Sequence, residues 1–131
     1  MAGLDDFSQA HFERVAQDTW DGLPKDFRDI VGNLVIQVVD FADRGTLDAM
    51  EIGSPYGLLG LYHGVGLPFQ SVLDVRHGPD MIFLYRLPIL RFARDEGDAV
   101  EAVIRHVLIH EIGHHFGFSD DDMDAIEEAA G

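Results

Sequence analysis

Cysteine is absent from the 131 residues of the sequence. Disulfide bonds and thiolate metal ligands are therefore excluded, and any bound metal must use histidine, aspartate or glutamate side chains. A protein without disulfides is typical of the cytoplasm. The acidic start of the chain, from Met1 to Asp6, is also unlike the basic and then apolar start of a secretory signal. Both observations predict a cytoplasmic protein.

Basic side chains are few. Nine lysines and arginines stand against 24 aspartates and glutamates, which gives a formal net charge of −15. Such a charge repels phosphate backbones, so we expect no nucleic-acid partner, and it favours basic or neutral substrates on encounter. Solubility alone is an alternative explanation of the charge.

Long hydrophobic runs are also lacking. No apolar stretch approaches the roughly 18 residues that a membrane span requires, so we expect no membrane partner. The content of 47% hydrophobic and 25% charged residues is typical of a soluble globular protein. A chain of this length is long enough for one hydrophobic core, which predicts a single domain over residues 1–131.

The apolar pattern of the first two thirds alternates between helix and strand. Phe12, Val15, Ala16 and Trp20 form a helical stripe, which predicts a helix over residues 5–21 capped by Asp5 or Ser8. A β-branched run predicts a central strand over residues 30–41, buried on both faces. Further extended segments are expected at residues 56–65, 70–77 and 81–87, and a short helix at 89–94. The predicted fold class is α+β.

A longer helix is predicted over residues 98–116. Asp98 and Glu101 have the spacing of a capping box, and an apolar face runs through Val103 and Val107. Gly117 is suited to a left-handed turn that ends this helix. A terminal helix then follows over residues 121–130, and Ser119 or Asp120 is a candidate for its cap.

This longer helix carries the motif H-E-x-x-H, which continues as H-E-x-x-H-x-x-G-x-x-D from His110 to Asp120. Residues four apart lie on one face of a helix, so His110 and His114 can bind one metal ion. Glu111 lies about 100° around the helix from His110, where its carboxylate can take a proton from a metal-bound water. Both histidines continue the apolar stripe, which predicts a metal next to the core.

Asp120 is the predicted third ligand, because the turn at Gly117 can fold the chain back toward the two histidines. Three protein ligands and one open position are typical of a catalytic zinc site. The alternative role for Asp120 is that of a helix cap. A second pair with the same spacing, His106 and His110, lacks an adjacent glutamate and a third ligand at a suitable spacing.

The segment from His110 to Asp120 resembles the zinc signature of the zincin metallopeptidases. With aspartate as third ligand it is similar to the snapalysin-type variant of the metzincin pattern. The hydrophobic strand that begins at Met81, together with the small size, resembles the small bacterial zincin-like metallopeptidases, or mini-zincins. The resemblance implies a mixed sheet backed by the active helix. Metzincins carry a methionine turn after the third ligand, and here only Met123 follows Asp120.

The predicted function is zinc-dependent hydrolysis of peptide bonds. His110, His114 and Asp120 hold Zn²⁺ in this prediction, and Glu111 is the general base. An extended peptide or protein substrate is expected to pair with an exposed strand at residues 81–86, from Met81 to Arg86. The alternatives are another zinc hydrolase, similar to small bacterial endoribonucleases, and a non-catalytic metal-containing module that binds a protein partner.

Overall fold

The computed structural model describes residues 7–64 and 80–130 as a mixed α/β arrangement. The elements in chain order are α1 (Gln9–Gly22), α2 (Lys25–Val31), β1 (Leu34–Val39), α3 (Arg44–Ala49), β2 (Gly60–His63), β3 (Asp80–Tyr85), α4 (Arg86–Glu96), α5 (Val100–Phe116) and α6 (Asp120–Ala130), and a 3-10 turn lies at Pro55–Gly57. The expected segment at residues 70–77 lies outside the described residues. The described elements confirm the predicted α+β class.

The sheet is small and mixed. Its strand order is β1-β3-β2, with β1 parallel to β3 and β2 antiparallel to β3. One face packs against α1 and α5 through Ile82 and Leu84, which are fully buried. The other face packs beneath α3 through Tyr85, which contacts the cluster formed by Ala42, Leu47 and Leu58. Hydrophobic burial on both faces therefore holds the middle strand in place.

The strand predicted over residues 30–41 is shorter than expected and occupies a different position. Ile30 and Val31 belong to α2, where Val31 packs with Phe27 in the core and Ile30 is 49% exposed. The strand itself, β1, pairs on one side only among the described strands, and its Val35 is 39% exposed. The β-branched run spans the end of a helix and an edge strand, so the prediction of a doubly buried central strand was wrong.

The strand predicted near residues 81–86 lies in the middle of the sheet. Met81 pairs with Val35 on one side and with His63 on the other, so the backbone edges of β3 are both occupied. Arg86 already belongs to α4, because Pro88 in the first turn favours helix at this point. An added substrate strand therefore cannot pair with β3. Among the described strands, β2 is the edge strand that adjoins α5.

Helix α5 lies at the centre of the fold and packs against α1, α4, α6, β2 and β3. Its buried residues are Val103, Ile104, Val107, Leu108, Ile109, Ile112 and Gly113. The predicted capping box is not formed, because Ala99 is the N-cap and Glu101 instead accepts a hydrogen bond from the His11 ring of α1 at 3.1 Å, if that nitrogen carries the proton. The predicted position of the histidines was also wrong: His110 is half-buried and His114 is exposed, so the stripe ends at solvent.

The end of α5 has the predicted left-handed turn. Gly117 has φ +78° and ψ +21°, and the Phe118 N–H donates to the Gly113 carbonyl at 2.9 Å. This backbone geometry closes the helix and reverses the chain. The next helix begins at once, because the Ser119 hydroxyl accepts from the Asp122 N–H at 3.1 Å. The distance between the two helices is set at Gly113, where Met123 of α6 packs with no exposed surface.

Within residues 7–64 and 80–130, no helix combines the length and the apolar character that crossing a bilayer requires.

Candidate metal centre

The three predicted metal ligands come together at the C-terminal end of α5. His110, His114 and Asp120 each offer a nitrogen or oxygen atom, and these three atoms lie within 4.8 Å of one another. The helical spacing aligns the two imidazoles, and the reversal at Gly117 returns Asp120 to them. The three side chains therefore form a compact cluster that is open to solvent on the side of His114 and Asp120.

Asp120 does not cap α6. The Ser119 hydroxyl accepts from the Asp122 N–H, and the Asp122 carboxylate accepts from the Ser119 N–H at 3.3 Å, which is a reciprocal cap. The capping role that the sequence left open between Ser119 and Asp120 is thus filled by Ser119. The Asp120 carboxylate stands at the first position of the helix and extends toward the histidines.

His110 has the environment of a neutral ligand. Burial lowers the pKa of its imidazole, and the neighbouring His106 lowers it further, while Glu127 has the opposite effect. The Nε2 atom of His110 is buried and has no hydrogen-bond partner among the described residues. A neutral imidazole presents one unprotonated nitrogen as an electron-pair donor, which is the form that binds a metal. The unpaired nitrogen is therefore consistent with a ligand role.

Glu111 lies beside the two histidines and against β2. Its Cγ would be 3.3 Å from a side-chain carbon added at Gly60, which shows how closely the strand approaches the helix here. Burial raises the pKa of the Glu111 carboxyl, and the nearby His114 lowers it to a smaller extent. A raised pKa makes a carboxylate a better proton acceptor near neutral pH.

Glu127 lies near the three predicted ligands, and no motif in the sequence predicted this position. Its Oε2 is 3.3 Å from His106 Nδ1 and 3.6 Å from His110 Nε2. The three residues form a second group whose ligand atoms lie within 4.8 Å of one another. Glu127 is 17 positions beyond His110 and reaches it only because α6 packs back on α5, so no local spacing could have revealed it.

His115 points to a different side of the helix. Its ring stacks on Tyr62 of β2 with centroids 4.0 Å apart, and the Tyr62 hydroxyl donates to Asp80 at 2.5 Å. Burial lowers the pKa of His115, and Asp80 partly opposes this effect. His115 is therefore part of the contact between α5 and the sheet, and it lies outside the group formed by His110, His114 and Asp120.

The donor set fits a zinc ion. Two imidazole nitrogens and one carboxylate oxygen are ligands that zinc accepts, and three protein ligands leave a fourth tetrahedral position for water or substrate. The convergence of the three ligand atoms is the observation that favours such an ion. Glu111 is adjacent in sequence to a ligand without belonging to the group of three.

Comparison with known proteins identifies a family. A family model described as zincin-like metallopeptidase matches residues 31–130, which is more than half of the chain. No curated protein matches the sequence. The matched residues include β1 to β3 and all of α5, and therefore both the sheet and the metal-ligand cluster.

Proposed function

The chain belongs to the zincin-like metallopeptidases, and on that basis we propose that it hydrolyses peptide bonds at a zinc ion held by His110, His114 and Asp120. The observation that carries the proposal is the convergence of these three side chains beside Glu111. The pair of histidines comes from one face of α5, and the carboxylate comes from the start of α6. The helical spacing of α5 therefore positions the two histidines, and the chain reversal before α6 positions the carboxylate.

Zinc bound by these residues would acidify a coordinated water and polarise the substrate carbonyl. Glu111 accepts the proton of the attacking water, because its carboxylate lies beside His110 and His114 and against β2 at Gly60. The same carboxyl then donates this proton to the departing amine. The close contact with β2 at Gly60 limits the rotamers of Glu111 and so orients the carboxylate.

The peptide substrate binds along β2. Among the described strands, β2 pairs with β3 on one side, and it lies closest to Glu111 at Gly60. An extended peptide adds to the remaining edge through backbone hydrogen bonds. This mode replaces the pairing with residues 81–86 that the sequence suggested, since both edges of β3 are occupied. We therefore expect the cleavage rate to depend little on the side chains of the peptide, apart from those next to the cleaved bond.

The decisive experiment compares wild type with Glu111→Gln on a mixture of unstructured peptides, with cleavage followed by mass spectrometry. We expect Glu111→Gln to retain about one zinc per chain and to lose at least ~100-fold of the activity, the lower end of what a positioned general base contributes. Cleavage by Glu111→Gln at the wild-type rate would contradict the mechanism.

Two controls separate the alternatives. His110→Ala should lose zinc on dialysis and lose activity as well, which would show that turnover depends on the metal. Incubation of the zinc-loaded wild type with structured RNA tests the endoribonuclease-like alternative, for which the net charge of −15 is unfavourable. Zinc binding with no cleavage of either polymer would support the alternative of a non-catalytic binding module.

A further inference from the structure

A second group of potential metal ligands adjoins the first on the same helix. His106 lies one turn before His110, and the two rings stack with centroids 3.9 Å apart. Glu127 of α6 lies opposite this pair, and its Oε2 faces a nitrogen of each ring. His106 is exposed, whereas His110 and Glu127 are half-buried, so an ion could enter the group directly from solvent.

Two of the distances in this group are close to those between ligands of a tetrahedral ion, and the shorter one is at present a hydrogen bond between His106 and Glu127. Zinc bonds of about 2.0–2.1 Å place neighbouring ligand atoms roughly 3.3–3.4 Å apart. The Glu127 Oε2 atom is 3.3 Å from His106 Nδ1 and 3.6 Å from His110 Nε2. The longer of these distances exceeds a hydrogen bond, and the Nε2 atom has no hydrogen-bond partner among the described residues. The two rings would have to turn out of their stacked arrangement for their in-plane lone pairs to meet at one ion.

His110 belongs to both groups. A neutral imidazole has one unprotonated nitrogen, so it can donate an electron pair to one ion at a time, and holding two ions would require the imidazolate. An ion bound by His106 and Glu127 therefore removes His110 from the cluster with His114 and Asp120. The two sites compete for a single ligand.

We propose that His106, His110 and Glu127 form a second site for zinc or a similar divalent ion, and that its occupation inhibits the peptidase by withdrawing His110. Two imidazoles and one carboxylate select borderline ions such as Zn²⁺ and Co²⁺ over Mg²⁺ or Ca²⁺. The inhibitory consequence rests on the proposed function, whereas the existence of the second site does not. Excess free zinc thereby becomes a regulator of the enzyme.

Cobalt binding tests the site without any use of activity. His114→Ala removes the first site and leaves the second intact. We expect this variant to take up one Co²⁺ per chain, seen as a saturating rise in visible absorption, and His114→Ala/Glu127→Gln to show none. Failure of His114→Ala to bind, or equal binding by the double variant, would overturn the proposal and leave the peptidase proposal unaffected.

Zinc inhibition tests the competition. Activity of wild type should fall as free zinc rises beyond one equivalent, and Glu127→Gln should need at least about tenfold more zinc for half-inhibition, since even indirect partners of ligands change metal affinity by 10–100-fold. The matched control is Glu128→Gln, which removes the same charge from an exposed neighbour on α6 and should behave as wild type. Equal inhibition of the three proteins would show that the second site does not compete.

Discussion

Glu111 combines two requirements that oppose each other. Its position against Gly60 and beside His114 suits a general base, yet the same burial makes ionisation of its carboxyl unfavourable, as the raised pKa shows. In the metal-free protein no cation at the cluster offsets this cost. In the proposed mechanism the residue serves catalysis, and its burial reduces the stability of the metal-free fold, as is common for buried ionisable groups at active sites.

The metal-free protein should reveal this cost through its pH dependence. A folded-state pKa above the unfolded value gives stability that is present at low pH and lost as pH rises through the folded pKa. Glu111→Gln has no ionisable carboxyl at this position, so it does not lose this stability as the pH rises. In chelator-treated samples we expect Glu111→Gln to have a higher melting temperature than wild type at pH 7, with a difference that shrinks toward pH 4. A difference in melting temperature that is constant across this pH range would contradict a raised pKa of Glu111.

The sequence predicts the roles of residues whose partners lie nearby in the chain. His110, Glu111 and His114 share one helix, and Asp120 follows after one turn, so spacing alone brings them into one cluster. Gly60 and Glu127 were not predicted in their roles, because each reaches the site through tertiary packing of β2 or α6. A single sequence carries no record of such long-range contacts.

The junction of α5 and α6 determines where Asp120 lies. Gly113 provides the space that Met123 fills, and a side-chain carbon added at Gly113 would lie 2.6 Å from Met123 Cγ, well inside van der Waals contact. The two helices pack closely here, one turn before the Gly117 reversal. Any displacement of α6 at this point moves the Asp120 carboxylate relative to the two histidines.

Gly113→Ala should therefore destabilise the protein, although alanine gains about 1 kcal/mol in helix propensity. Overpacking against Met123 costs roughly 1–3 kcal/mol and should also weaken zinc binding through Asp120. Urea unfolding of Gly113→Ala, Met123→Ala and the double variant measures the coupling between the two residues. We expect the double variant to lose less free energy of unfolding than the two single variants together, by ~0.5 kcal/mol or more.

Gly22→Ala is the matched control for this cycle. Gly22 ends α1, and an added side-chain carbon there meets no atom within 4 Å. We expect this variant to be at least as stable as wild type. A similar loss of stability in Gly22→Ala and Gly113→Ala would mean that glycine removal itself, and not the contact with Met123, is responsible.

Element boundaries were predictable where a local signal exists. The left-handed end of α5 follows from Gly117, whereas β3 ends at Tyr85, two residues before the predicted boundary at residue 87. The border between α2 and β1 was not predictable, because Ile30 and Val31 continue the apolar pattern of the strand without a change in composition. Tertiary contacts of Val31 with the core decide that border, and they override the β propensity of the run.

The whole molecule carries a charge of −15, and this field acts on any substrate before contact. Long-range attraction raises the association rate of an oppositely charged partner, and salt screens it, since the Debye length falls from about 30 Å at 0.01 M to about 8 Å at 0.15 M. A peptidase with this charge should therefore discriminate between basic and acidic peptides most strongly at low ionic strength.

Two peptides with one cleavage site and either lysine or glutamate flanks would measure this effect. We expect kcat/KM to be larger for the lysine peptide at 0.01 M salt, and the ratio to fall toward one at 0.15 M. An equal or larger value for the glutamate peptide at low salt would show that the charge serves solubility and has no part in substrate encounter.

The position of β3 between its neighbours also has a consequence for the order of folding. Among the described strands, β1 and β2 do not pair with each other, and both pair with β3, which is the last of the three to be synthesised. A nascent chain that has left the ribosome only as far as residue 79 holds two strands without this shared partner. Emergence of residues 80–85 lets both ladders form, one of them parallel and joining residues 34 and 80. Sheet assembly therefore waits for β3, and contacts so distant in sequence predict that it is slow compared with helix formation.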